Sequence, residues 1–242
     1  MIKLAIVGYG KMGKEIESIL DTGEFKIVGK YDVDNPVQEN LKEVPDVAIE
    51  FSTPSSVISN IEFLSSKGIN IVCGTTGWYD KLLEVRKIIE KNNVGFIYAY
   101  NFSVGVNLFF EIIRQASSII NKFPEYDIAV EEIHHTQKLD RPSGTAIKIA
   151  ELILSGNKHK TAINKNSEIE SASSEYLDVS SLRAGKIVGN HKVLIDSEAD
   201  TITLEHNAKS RRGFAEGALL STRFIYNKKG FYKFEDTFKN LI

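Results

Sequence analysis

The stretch Lys3-Leu4-Ala5-Ile6-Val7-Gly8-Tyr9-Gly10-Lys11-Met12-Gly13 runs from an apolar strand into a Gly-x-Gly-x-x-Gly turn, and the residues after it carry Ile16, Ile19 and Leu20 at helical spacing. Strand, glycine turn, helix is the context in which this spacing binds a pyrophosphate. Gly8 permits the tight turn, Gly10 lets a phosphate approach the backbone without meeting a Cβ, and Gly13 lets helix and strand pack closely. The helix N-terminus adds free N–H groups and partial positive charge. Glycines also cluster in ordinary turns. The position of this one on the first strand of a βαβ unit makes Gly8, Tyr9, Gly10, Lys11, Met12 and Gly13 a candidate dinucleotide site.

Outward from that turn, short β-branched runs at residues 25–32, 47–52, 70–74 and 95–101 alternate with amphipathic stretches at 14–20, 55–66 and 79–91, with Ser55 well placed as a cap after Pro54. Such alternation predicts a Rossmann-type, doubly wound parallel sheet. The connection from 32 to 47 is short and carries Pro36 and Pro45, so it should be a loop or a stunted helix. Asp32 follows the glycines by about 20 residues, where a carboxylate can bond an adenosine ribose and repel a 2′-phosphate. Val33 adds no positive charge, which favours NADH over NADPH, although Lys11 and Lys30 leave either cofactor open. Asp32 also has a plainer reading as a turn former.

Beyond residue 101 the pattern changes. Helices are expected at 106–121 and 143–154, an extended run at 126–134, and alternating strands at 186–196 and 201–209. These predict a central α+β domain with a mixed sheet. Residues 155–175 hold few apolar side chains and read as a surface loop, whereas 214–226 is helical and returns to the first domain. No internal repeat is present.

Bulk properties narrow the partners. The 242 residues are 42% hydrophobic with a net charge of −2, so no basic field invites nucleic acid. The single cysteine, Cys73, excludes an internal disulfide and a multi-cysteine metal site, which fits a reduced cytoplasm. Neither a secretory leader nor a membrane span is expected, because the apolar N-terminal run and every later one are too short.

The densest chemistry lies in Glu131-Glu132-Ile133-His134-His135-Thr136-Gln137-Lys138-Leu139-Asp140-Arg141-Pro142-Ser143-Gly144-Thr145. A strand end delivers His134 and His135, Lys138 follows within reach, and Ser143-Gly144-Thr145 opens a helix whose free N–H groups make an anion site. Together they describe a pocket for an acidic small molecule. Adjacent histidines point to opposite sides of a strand and no cysteine lies nearby, so no metal site is expected. Taken singly, the histidines could be a surface pair, Lys138 and Arg141 solvated loop charges, and Ser143 only a helix cap.

The run from Glu132 to Ala146 resembles the signature of the dihydrodipicolinate reductase family, Glu-x-His-His-x-x-Lys-x-Asp-x-Pro-Ser-Gly-Thr-Ala. Gly74-Thr75-Thr76-Gly77, Asn101-Phe102-Ser103-Val104-Gly105-Val106-Asn107, Arg183-Ala184-Gly185-Lys186-Ile187-Val188-Gly189-Asn190-His191 and the segment from Ser210-Arg211 to Gly217 resemble the family in the same order. The resemblance implies a dinucleotide domain built from residues 1–103 and 211–242 and a substrate-binding and tetramerisation domain at 104–210. It implies that Gly74, Thr75, Thr76, Ala99, Tyr100, Asn101 and Phe102 line the cofactor pocket. By the same resemblance His134 is catalytic, Lys138 donates a proton, and His135, Ser143, Gly144 and Thr145 grip the substrate. The implied reaction is NAD(P)H-dependent reduction of a cyclic dicarboxylate, 4-hydroxy-tetrahydrodipicolinate, to tetrahydrodipicolinate on the route to diaminopimelate and lysine, by a cytoplasmic homotetramer.

The chain departs from the family in a glycine turn one residue shorter, in Lys11 and Val33 at positions often arginine, and in Arg141 at a position commonly alanine. Two rivals stand beside this reading. Another two-domain nicotinamide enzyme acting on an amino acid would share the glycine turn but has no use for the histidine and lysine cluster. A non-catalytic dinucleotide sensor would need the turn and Asp32 but tolerate loss of His134 and Lys138.

Overall fold

The structure, a computed structural model, describes residues 1–164 and 174–238. The first half runs β1 (Ile2–Val7), α1 (Lys11–Ser18), β2 (Phe25–Tyr31), α2 (Val37–Asn40), β3 (Val47–Glu50), α3 (Val57–Ser66), β4 (Asn70–Cys73), a 3-10 turn (Tyr79–Lys81), α4 (Leu82–Asn92) and β5 (Gly95–Tyr98). Then come α5 (Val104–Ile120), β6 (Asp127–His134), α6 (Gly144–Gly156), β7 (Ala162–Asn164), β8 (Tyr176–Arg183), β9 (Asn190–Asp196) and β10 (Thr201–Asn207). The chain closes with α7 (Arg212–Ile225), β11 (Gly230–Lys233) and α8 (Phe234–Phe238). Two compact units result, Met1–Val104 with Arg211–Ile242, and Gly105–Ser210.

The first unit is a six-stranded sheet in the order β11-β5-β4-β3-β1-β2, every pair parallel. Parallel sheets are covered on both faces, and successive strand residues divide between them. Leu4 and Ile6 join Ile16 of α1, Ala218 and Leu219 of α7 and Phe234 of α8 on one side. Ala5 and Val7 join Ile61 and Leu64 of α3 and Val85 and Ile89 of α4 on the other. The chain leaves β1 for β2 on one flank and returns for β3 on the opposite flank, so the strand order reverses there. That switch opens a crevice at the carboxyl ends of β1 and β3. Buried Asn70 ties the return helix to the sheet: its amide donates to the carbonyls of Ile225 (2.8 Å) and Tyr226 (3.0 Å), and its Oδ1 accepts from the Gly95 N–H.

The Rossmann-type expectation holds, with local differences. Helix α1 starts at Lys11, earlier than expected, because Gly10 takes its N-cap position. Ser56, not Ser55, stands at the N-cap position of α3, without a side-chain capping bond, since the turn closed by Ser56 N–H on the Thr53 carbonyl carries the chain one residue further. The 32–47 crossover contains only the four-residue α2. Strand β11 was not expected; it extends the sheet by pairing with β5.

The second unit is a mixed five-stranded sheet, β10-β9-β6-β8-β7, in which β6 pairs antiparallel with β9 and parallel with β8. Ile128 and Val130 of β6, Leu177 of β8, and Val193 and Ile195 of β9 pack beneath Phe110 and Ile113 of α5 and Ile149 and Ile153 of α6. Full burial of such side chains contributes about 1.5–3 kcal/mol each. The expected mixed sheet is present, but β8 was not foreseen, because its Asp-Val-Ser-Ser stretch lacks an apolar face. Strand β9 begins only at Asn190, after a turn at 184–189. Part of the expected 155–175 loop is ordered as the end of α6 and as β7, and residues 165–173 lie outside the described residues.

Candidate active site

In the first unit the glycine turn sits at the switch point. Gly8 has φ +91°, its N–H and that of Tyr9 bond the Tyr31 carbonyl, and a Cβ there would stand 2.2 Å from the Phe51 carbonyl oxygen. A Cβ at Gly10 would meet nothing within 4 Å, whereas one at Gly13 would come 2.9 Å from the Gly8 oxygen. Gly8 and Gly13 are therefore needed by the fold, and Gly10 leaves an open approach to the start of α1. A cleft of about 270 Å³ is lined by Met12, Phe51, Gly74, Thr76, residues 99–102, Arg211 and Phe214. It gathers Ala99, Tyr100, Asn101 and Phe102 after β5 with Gly74 and Thr76 after β4. Thr75 is buried instead, and its carbonyl accepts the Trp78 indole N–H at 2.8 Å. The open backbone at Gly10 and this cleft at the strand ends fit a dinucleotide.

Asp32 is exposed, and its Oδ1 accepts from the N–H groups of Asp34 and Asn35, both at 3.1 Å, closing a turn. Val33 is 90% exposed. Lys30 is held by Glu17 and lies over the Tyr9 ring, 4.8 Å from its centre. The bonds from Lys30 and Tyr9 hold the Glu17 carboxyl below its ordinary range. Unnoticed in the sequence was Glu50, fully buried at the end of β3, where burial raises its pKa despite bonds from Ser52 and Asn60. The neighbouring Cys73 thiol, 3.7 Å from Glu50, is pushed well up by burial.

In the second unit the polar cluster gathers at the carboxyl end of β6. Glu132 and His134 are two residues apart on a strand, so both point to the face covered by the helices. Register supplies the rest: Glu132 lies opposite Ser181 of β8 and His191 of β9, and His134 lies opposite Arg183. Glu132 Oε2 bonds His134 Nδ1, while Oε1 accepts from Arg183 at 2.8 Å and from the Ser143 N–H at 3.3 Å. Burial would raise the Glu132 carboxyl, but Arg183 foremost and then its other hydrogen bonds outweigh that and hold it low. A carboxylate opposite Nδ1 means that this nitrogen carries the proton. Burial lowers the His134 pKa, with Lys138 and Arg183 adding to the effect and Glu132 opposing it, so the imidazole is neutral at pH 7. A Cβ at Gly189 would stand 3.0 Å from His134 Nε2, so glycine there keeps that nitrogen uncovered.

Ser143 caps α6 by accepting the Ala146 N–H at 3.2 Å, and its hydroxyl lies 3.3 Å from His191 Nε2. A Cβ at Gly144 would meet nothing within 4 Å, which leaves the first turn of α6 open beside it. Lys138 Nζ pairs with Asp140 at 2.9 Å. Partial burial pushes the Asp140 carboxyl up, but Lys138 and the Gly144 N–H bring it below its usual range. His135 is half-buried and Arg141 exposed. The structure thus brings His134, Ser143 and His191 together on Glu132. Glu132, Arg183 and His191 had no assigned role in the sequence reading. The Glu-x-His spacing could have revealed the first, but the other two arrive by strand pairing. Glu132, His134 and His191 also offer three donor atoms within 4.8 Å of one another. Both Glu132 oxygens are already engaged, however, and the Arg183 charge opposes a cation there.

His191 is 4% exposed, and burial, with His134 next, drops its pKa from 6.5 to about 3. Between those values the unfolded chain binds a proton that the folded one refuses, so stability falls as pH falls through this window. Urea titrations of wild type and His191→Gln from pH 7 to 4 should give a steeper acid loss in wild type. The expected difference is up to about 1.4 kcal/mol per pH unit; parallel curves would mean that His191 titrates normally.

Residues 2–102 match the family model described as dihydrodipicolinate reductase, N-terminus, and residues 105–238 match dihydrodipicolinate reductase, C-terminus. A 4-hydroxy-tetrahydrodipicolinate reductase of Christiangramia forsetii is 38% identical over 241 residues, 99% of each chain. One of Thermosipho africanus is 35% identical over 240 residues, 98% of each. Among solved structures, a dipicolinate-bound dihydrodipicolinate reductase of a Paenisporosarcina species matches 98% of this chain and 99% of its own, with TM-score 0.74 and 28% identity. With both halves matched and full-length relatives above 30% identity, the chain belongs to the dihydrodipicolinate reductase family.

Proposed function

We propose that this protein reduces 4-hydroxy-tetrahydrodipicolinate to tetrahydrodipicolinate with a nicotinamide cofactor, a step toward diaminopimelate and lysine. The observation that carries the reading is the cluster of His134, Lys138 and the open first turn of α6, found in a chain of this family. Reduced nicotinamide, when bound, supplies hydride. The chain's own residues bind, orient and protonate. Gly8, Gly10 and the N-terminus of α1 receive the pyrophosphate, with Gly74, Thr76 and residues 99–102 lining the cleft. The N–H groups of Gly144 and Thr145 take a substrate carboxylate, in competition with Asp140, which already uses Gly144 and Lys138. His134, neutral and proton-bearing at Nδ1, offers Nε2 as an acceptor that orients the substrate. The ammonium of Lys138 is then the group that stabilises developing negative charge and donates the proton.

Asp32, the uncharged Val33 and the engagement of Lys30 by Glu17 favour NADH over NADPH. The family reading also carries a cytoplasmic homotetramer; among the described residues no helix is long and apolar enough to cross a membrane. The test is steady-state oxidation of NADH and of NADPH, with substrate formed in place from aspartate semialdehyde and pyruvate by a coupling synthase. Substrate-dependent oxidation, with the larger kcat/KM for NADH, is the expected result. Oxidation of neither cofactor by folded protein would overturn the reductase reading, and a preference for NADPH would overturn the Asp32 argument alone.

A further inference from the structure

We propose that Arg183 is a positioning residue for the reaction, one buried guanidinium that sets both His134 and Lys138; the inference rests on the reductase reading above. Arg183 ends β8 directly opposite His134, and its side chain is 2% exposed. Its donors go to two structures at once. One bonds Glu132 Oε1 at 2.8 Å, leaving the other carboxylate oxygen for His134 Nδ1. Others bond the backbone carbonyls of Lys138 (Nε, 3.3 Å) and Asp140, at either end of the segment that presents the lysine. The remaining terminal nitrogen is spent on the Leu182 carbonyl.

The planar fork explains why arginine stands here. Lysine could pair with Glu132 as a point charge but could not also hold two carbonyls in fixed directions. Glu132 would be a buried carboxylate without its main counter-charge if Arg183 were lost, and a protonated Glu132 would no longer fix the His134 tautomer. The loop carrying Lys138 would lose its anchor at the same time. A misplacement of about 1 Å in such a site costs on the order of 10²-fold in rate.

Wild type and three variants test the assignment. In wild type, imidazole ¹⁵N spectra should show His134 protonated at Nδ1; a proton resident on Nε2 instead would overturn the proposal without any variant. In Arg183→Ala, kcat should fall on the order of 10²-fold with NADH affinity unchanged, and added guanidinium should restore part of it while methylammonium does not. Arg183→Lys should resemble Arg183→Ala in kcat, and Glu132→Gln should alter the His134 ¹⁵N signals. Wild-type turnover in a folded Arg183→Ala or Arg183→Lys would sink the inference, as would a loss of kcat with unchanged His134 signals and no guanidinium rescue. Since the wild-type assay decides the reductase reading, an active wild type beside unaffected variants would refute this assignment alone.

Discussion

Lys138→Ala is expected to lower turnover by about 10²- to 10⁴-fold, the range that a positioned general acid contributes, while dinucleotide affinity stays unchanged. Burial lowers the His134 pKa and Glu132 is bound to Arg183, so Lys138 is a cation at the end of β6 whose counter-ion among the described residues, Asp140, is itself exposed. A substrate carboxylate can displace Asp140 from the lysine, which a fully buried pair would resist. Lys138→Arg separates the two jobs assigned to the ammonium. Arginine keeps the charge but does not give up a proton, so substrate binding should survive better than kcat. Single-turnover rates with NADH, alongside fluorescence titration of the cofactor, read both quantities. Turnover retained in Lys138→Ala would remove lysine from the mechanism and leave an ordered water as the proton source.

What could be read from the sequence divides according to whether a feature is local. The glycine spacing and the alternation of β-branched and amphipathic runs are local signals, and they were sufficient for the doubly wound parallel sheet. The signature around His134 is local as well, because strand, turn and helix cap follow one another within 15 residues of sequence, Glu131 to Thr145. Arg183 and His191 are different. They reach His134 and Glu132 only through the register of β8 and β9 on β6, and pairing partners are not written in either strand alone. Strand β8 was missed for a related reason: Leu177 is its only fully buried apolar residue, since its far end uses the inward face for Arg183. Asp32 illustrates overlap, because the carboxylate that the sequence reads as a ribose ligand closes its own turn.

The glycine turn offers the second large effect, through a contrast between neighbours. Gly8→Ala should destabilise the fold by roughly 2–5 kcal/mol, since a side chain at φ +91° is strained and its Cβ would stand 2.2 Å from the Phe51 carbonyl oxygen. For a chain of this size that is a fall in Tm on the order of 5–20 °C. Gly10→Ala should leave Tm nearly unchanged, because φ is −91° and a Cβ meets nothing within 4 Å. Its cost should appear only with ligand, where the methyl occupies the path of the pyrophosphate. Overpacking of roughly 1–3 kcal/mol corresponds to a loss of about 5- to 150-fold in NADH affinity. Thermal scans with and without NADH measure both effects, because a ligand at free concentration L that binds only the folded chain stabilises it by RT ln(1 + L/Kd), so a weaker Kd gives a smaller Tm shift. If Gly10→Ala keeps both its Tm and its NADH-induced shift, the phosphates do not approach the start of α1, and the glycine turn serves only the packing of β1 against β3.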